Sequence, residues 1–267
     1  MFISFSVAYF FIFLIGLCVG SFLNCVIYRL ALPNFSFWKN LGGLNRSYCP
    51  HCKYNLAWLD LIPVFSFLFL KGKCRYCKKK ISLQYPLVEI LTGLVFLLIF
   101  FIMQDIEQPD NFINLLFLFY IASSLIIIMV YDLKHYLIPD KVLFPAIAVA
   151  FLYRLFTSPF LFANYLLAVL VASGFFLFIF LISKGKWIGF GDVKLAILLG
   201  FLLGFPNILS GLFLSFFFGA IIGLILMFLN KKGLESEIPF APFLIIGTFV
   251  AMFFGDQIIH WYMGLLL

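Results

Sequence analysis

The stretch Ile126-Ile127-Ile128-Met129-Val130-Tyr131-Asp132 closes a long apolar run on a carboxylate, and the reading of that junction decides the fold. Apolar runs without alternation are helical, because in lipid every backbone N–H and C=O must be satisfied within its own segment, whereas barrel strands alternate. The same pattern recurs along the 267 residues, of which 65% are hydrophobic, 21% aromatic and only 11% charged. A soluble domain carries about twice that share of charge. The chain therefore reads as an all-α polytopic membrane protein whose partner along most of its surface is the lipid bilayer. An ionisable residue at the edge of such a run is costly to hold and marks a functional site with a partner elsewhere in the chain.

At about 20 residues per crossing, about eight transmembrane helices fit, over residues 3–27, 86–103, 112–131, 141–157, 161–183, 192–205, 207–229 and 241–265. Residues 1–27 form the first transmembrane helix, residues 28–85 a polar loop domain, and residues 86–267 the remaining bundle. The first span has no basic segment before it and no small-residue cleavage site, so it reads as a retained helix and not a signal peptide. Ten of the 18 Lys and Arg residues, Lys39 and Arg46 among them, lie between residues 28 and 85. All but one of the others fall in the loops at 132–141, 184–194 and 230–240, the last through Lys231 and Lys232. Arg154 is the exception. The loop from Gln104 to Asn111 carries Asp105, Glu107 and Asp110 and no base. By the positive-inside rule the basic loops are cytoplasmic and both termini lie on the other face. The net charge of +7 thus reflects topology and not nucleic-acid binding.

Cys49-Pro50-His51-Cys52 and Cys74-Arg75-Tyr76-Cys77 are two CxxC knuckles separated by 21 residues. Two-residue spacing lets both thiolates of a knuckle reach one ion, and two knuckles complete a tetrahedral Zn²⁺ site. The alternatives are disulfides or a redox CxxC, but disulfides rarely persist in a cytoplasmic loop. Four protein ligands leave no open coordination position, so the zinc is structural, folding a loop too small to hold itself together.

Three carboxylates mark the cytoplasmic boundary: Asp132, Asp140 and Asp192. Asp192 sits in Gly189-Phe190-Gly191-Asp192-Val193-Lys194, where one apolar run ends and the next begins. Two adjacent carboxylates cannot both ionise easily, so the pair can activate water with one member and protonate a carbonyl or amine with the other. The structural alternative is that each Asp caps a helix or pairs with Lys134 or Lys194. Gly189 and Gly191 open backbone conformations closed to other residues and permit close approach of an extended peptide. Asp140, after Pro139, reads first as a helix N-cap, with a site role behind it. Glu89, inside the second span, needs a partner and reads as a structural or substrate-positioning contact. Ile238-Pro239-Phe240-Ala241-Pro242-Phe243 is either a helix start or an extended edge beside a substrate.

Taken in order, these pieces resemble the type IV prepilin peptidases, bacterial inner-membrane GxGD aspartic proteases. The resemblance rests on Gly20-Ser21-Phe22-Leu23-Asn24, the two knuckles, Gly72-Lys73, Tyr85-Pro86 with Glu89, Asp132 with Leu137-Ile138-Pro139-Asp140, Gly189 to Lys194, and Pro239 to Phe243. It implies cleavage of the short basic leader from type IV prepilin or pseudopilin precursors at the cytoplasmic face. It further implies N-methylation of the new terminus from S-adenosyl-L-methionine. By the same matching Asp132 and Asp192 become the catalytic pair, Cys49, Cys52, Cys74 and Cys77 the zinc ligands, and Gly189, Gly191, Lys194, Asp140 and Glu89 supporting residues. Residues 30–48 contain no acid, where bifunctional members often carry a Glu, and Ala241 stands where glycine is common in the family. A competing reading of the same spans is a non-enzymatic transporter or scaffold with a structural zinc loop.

Overall fold

The computed structural model describes residues 2–32, 47–103, 109–229 and 238–266. Lys39, Arg46, Asp105, Glu107, Lys231 and Lys232, and the side chain of Asp110, lie outside the described residues, so the part of the charge pattern they carry rests on sequence. Nine α-helices are described. They are α1 (Phe2–Leu30), α2 (Phe65–Phe69), α3 (Gln84–Ile102), α4 (Pro109–His135), α5 (Asp140–Thr157), α6 (Phe162–Ser183), α7 (Phe190–Leu203), α8 (Asn207–Phe228) and α9 (Ala241–Leu266). Each expected span is thus a helix. Six helices are long and apolar enough to cross a membrane, over Val7–Leu30, Gln84–Ile102, Asn111–His135, Pro159–Ser183, Asn207–Phe228 and Ala241–Leu265. The chain is a multi-pass, all-helical membrane protein. The other two expected spans fall short for different reasons: α5 carries Asp140, Lys141 and Arg154 in 18 residues, and α7 has only 14.

The chain divides within α4 into two compact units, residues 1–127 and 128–267. In the first, α1 packs along α3. Glycines let the two backbones touch: a Cβ on Gly16 would stand 2.6 Å from Gly93 Cα, and one on Gly20 2.7 Å from Glu89 Cα. Gly16 and Gly20 are four apart, so both fall on one face of α1. Such small-residue pairs drive helix association in lipid, where burying apolar surface brings no gain. Between these helices the chain forms the polar loop, with a 3₁₀ turn at Trp58–Leu61 and α2 after it.

In the second unit α7 is the most enclosed helix. Leu195, Ala196, Leu198 and Leu199 are all within 1% of complete burial. A helix apolar on every side is one surrounded by protein; α7 packs on α5, α6, α8 and α9. Against α6 the contact is backbone to backbone, since a Cβ on Gly200 would meet Val169 Cα at 2.6 Å. α8 and α9 close in the same way, a Cβ on Gly247 standing 2.6 Å from the Gly211 carbonyl. Arg154, the one base outside the basic loops, has a structural reason to be there. Its guanidinium donates to the Phe201 and Leu202 carbonyls at 3.0 and 2.9 Å and lies over the Tyr165 ring at 4.4 Å. The last carbonyls of a helix lack intrahelical donors and carry its negative pole, so a cation there serves both needs.

Candidate functional site

Two sites are built by short-range geometry, one in each unit. In the polar loop the knuckles fold alike. The chain pairs Tyr48 with Asn55 and Lys73 with Lys80 in single antiparallel bridges, each closing one CxxC turn. Within each turn the first cysteine donates across it, Cys49 N–H to the Tyr54 carbonyl at 3.0 Å and Cys74 N–H to the Lys79 carbonyl at 2.8 Å. The residue after each second cysteine is left-handed, Lys53 at φ 56° and Lys78 at φ 58°. The Tyr54 and Tyr76 rings pack at a tilt across the pair with centroids 3.9 Å apart, and Asp60 accepts from Arg75 at 2.7 Å.

The four sulfurs converge, all lying within 4.8 Å of one another. Cys49 and Cys77 Sγ are 3.9 Å apart. A tetrahedral zinc with Zn–S near 2.3 Å calls for about 3.8 Å between sulfurs, so the donor set fits the ion. The thiols are free and not joined as disulfides. Burial disfavours the Cys49 thiolate, yet N–H groups of Cys52 and His51 aimed at its sulfur hold the thiol down at about 7. Amides directed at a thiolate are the outer-shell support that a metal ligand needs. His51 is exposed and stands outside the set, leaving the four cysteines as the donors.

The carboxylate site lies in the second unit. Asp132 sits near the C-terminal end of α4 and Asp192 in the first turn of α7. They are 5% and 8% exposed, and the charge of Asp132 bears directly on Asp192. A backbone amide faces each one: the Ala241 N–H, first in α9, lies by the Asp132 carboxylate, and the Gly189 N–H before α7 by that of Asp192. The opening amides of a helix have no intrahelical acceptor and favour an anion. Pro242, at the second position of α9, has no N–H to offer, so the Ala241 amide is the donor available there. Pro239 to Phe243 is therefore a helix start whose open end serves Asp132.

Several sequence expectations change. Asp140 is not an N-cap: Pro139 occupies that position, and the Asp140 carboxylate instead holds Lys194 at 2.6 and 2.9 Å. Lys194 is thereby engaged by Asp140, against the alternative in which it neutralises Asp192. The glycines also work differently. Gly189 has φ −74°, which any residue adopts, so conformational freedom is not its role. A Cβ there would lie 3.6 Å from Asp192 Oδ2, and one on Gly191 would press Ile138 at 3.2 Å. The first glycine leaves room beside the carboxylate and the second lets α7 start against the Ile138 side chain. Glu89 finds its partners in the first unit, accepting from the Val64 N–H at 2.7 Å and from Ser21. Sequence reasoning missed Ala241 as a donor, since a backbone amide leaves no side-chain signature; the flanking prolines were the available signal.

Comparison with known proteins bears on both sites. Residues 14–103 match the family model of the bacterial peptidase A24 N-terminal domain, and residues 119–224 that of the type IV leader peptidase family. The prepilin leader peptidase/N-methyltransferase of Legionella pneumophila is 34% identical over 279 residues, covering 94% of this chain and 93% of that protein. Proteins of the same name from Aeromonas hydrophila and Bacillus subtilis (strain 168) are each 32% identical, covering 94% and 96% of this chain and 92% and 98% of their own. No solved structure matches the chain.

Proposed function

Because the chain belongs to the type IV leader peptidase family, we propose that it removes the short basic leader from type IV prepilin or pseudopilin precursors, with Asp132 and Asp192 as the catalytic pair. The observation that carries this reading is two buried carboxyls close enough for the charge of Asp132 to bear on Asp192, each faced by a backbone amide and, among the described residues, neither ion-paired with a lysine. Like charges in one buried site share a proton. The ionised carboxyl takes a proton from water as the water oxygen attacks the scissile carbonyl carbon. The protonated carboxyl gives its proton to the carbonyl oxygen. Collapse of the tetrahedral intermediate breaks the C–N bond, and the leaving amine takes a proton from the dyad. Asp140 and Lys194 support the site by tying the start of α5 to the first turns of α7.

The reading extends to topology and to the loop. The six long apolar helices with α5 and α7 make eight crossings of the bacterial inner membrane, with the basic loops and both carboxyls at the cytoplasmic face. Enclosure by its neighbours is what permits α7 to be short. Cys49, Cys52, Cys74 and Cys77 hold a Zn²⁺ that folds the loop; with four protein ligands it takes no part in hydrolysis. The relatives are also named N-methyltransferases, and we carry that activity over: cleavage leaves a free amine, and S-adenosyl-L-methionine supplies an electrophilic methyl group. The chain has no glycine-rich nucleotide fingerprint, and no residue is assigned to the methyl donor.

The test is precursor processing by Asp132→Asn and Asp192→Asn, each made separately. Both are expected to leave the precursor full length while the protein keeps its zinc and its thermal stability. Full cleavage by either variant rules out the dyad.

A further inference from the structure

The polar loop exposes more apolar surface than a water-facing segment tolerates. Trp58 is 74% exposed, Leu68 63% and Phe69 83%, and Phe65 and Leu61 lie open beside them. None of these residues is in a membrane-crossing helix. A contiguous open patch of large apolar side chains marks an interaction surface, and three observations identify its partner.

The first is charge. Lys71, Lys73 and Lys78 to Lys80 are exposed on the same loop. Asp60 is the loop's one acid between residues 28 and 85, and its side chain, 3% exposed, is spent on Arg75. The surface is therefore apolar and uniformly cationic. The second is depth. Val64, next to Phe65, donates to Glu89, the sixth residue of α3. At 1.5 Å per residue, Glu89 lies roughly 7 Å along α3 from its start. Residues 62–69 are thus held beside the first turns of a membrane-crossing helix, level with the open Leu83 and Leu87 side chains, 66% and 63% exposed. The third is composition. Trp, Phe and Leu next to Lys is the pattern of segments that lie in the headgroup boundary of a bilayer.

We propose that the segment Trp58 to Phe69 dips into the lipid leaflet beside α3, and that the flanking lysines bind the headgroups of anionic phospholipids there. The loop is then docked on the membrane surface, held from one side by Glu89 and from the other by lipid. This surface is separate from the carboxylate site and stands whether or not the chain cleaves prepilins.

The test uses the full-length protein in vesicles of phosphatidylcholine and phosphatidylglycerol, with bromine on the acyl chains of one lipid at a time. Bromine quenches tryptophan only on contact. The chain has four tryptophans, so the signal of Trp58 is taken as the difference between wild type and Trp58→Phe. Insertion by about 5–10 Å predicts that about half or more of the Trp58 emission is lost with bromine in the upper acyl chain. Brominated phosphatidylglycerol is expected to quench more than brominated phosphatidylcholine, and a variant with Lys71, Lys78, Lys79 and Lys80 all changed to Gln should erase that excess. Unquenched Trp58 emission overturns the proposal, whether it is red as in water or blue because residues 33–46 or another protein surface covers the ring. Equal quenching by the two lipids overturns the anionic preference. Prepilin cleavage measured on the same samples reports the peptidase reading independently.

Discussion

Gly200→Ala tests whether the packing of α7 sets the catalytic geometry. The added Cβ would stand 2.6 Å from Val169 Cα and 2.7 Å from Val169 N, both backbone atoms that cannot rotate aside. Ordinary contact begins at 3.4 Å, so α7 has to retreat from α6 by roughly 0.8 Å. Overpacking of this kind costs about 1–3 kcal/mol. The larger effect is on chemistry, because α7 carries Asp192 while the Ala241 amide and Asp132 belong to other helices. Misplacing a reacting group by about 1 Å can cost about 100-fold. Leader cleavage by purified Gly200→Ala is therefore expected to fall about 10- to 100-fold, with the zinc content of the loop unchanged. Gly174 and Gly223 have nothing within 4 Å of an added Cβ, so Gly174→Ala and Gly223→Ala are matched controls that should cleave as wild type does. Wild-type cleavage by a folded Gly200→Ala, or equal damage in the controls, would refute the argument.

Other perturbations follow from single contacts. Ala241→Pro keeps a helix start compatible with proline but deletes the amide that Asp132 accepts; with hydrogen bonds to charged groups worth about 1.5–3 kcal/mol, cleavage should fall about 10- to 100-fold, and an unchanged rate would remove Ala241 from the site. Arg154→Met strips both donors from the C-terminal carbonyls of α7, costing about 1.5–3 kcal/mol or more; a lower thermal midpoint, not restored by Arg154→Lys, is the expected outcome, because one ammonium lacks the planar fork. Changing any one of Cys49, Cys52, Cys74 or Cys77 to Ser should abolish stoichiometric zinc and open residues 47–81 to proteolysis. Unchanged metal content in all four variants would end the zinc assignment.

How much of this was legible beforehand depends on the range of the interaction. The four-cysteine cluster was readable because spacing within each knuckle is local: two residues between cysteines fix which sulfurs meet. The helices were readable because the solvent imposes one backbone solution on every apolar run. Asp132 and Asp192 were readable as costly residues at span ends, and both are buried with the charge of one bearing on the other. Asp140 was misread because its partner Lys194 is 54 residues away, and nothing local separates a cap from an ion pair at that distance. Conformational freedom was the wrong reading of Gly189, whose φ is an ordinary −74°. At Gly16, Gly93 and Gly200 the missing Cβ serves a neighbouring helix, and a single chain does not say which helix approaches. Arg154 broke the charge pattern, and that breach was the clue to its work on the α7 carbonyls. The span count was the weakest inference, because length measures whether a helix faces lipid and α7 is surrounded by protein.

The most direct test of the account is mass spectrometry of a type IV prepilin's N-terminus after exposure to the wild-type protein and to Asp192→Asn. The account predicts that wild type yields a chain shortened by its basic leader and methylated at the new terminal amine, while Asp192→Asn leaves the precursor intact. An intact precursor with wild type, or a shortened one with Asp192→Asn, would contradict it.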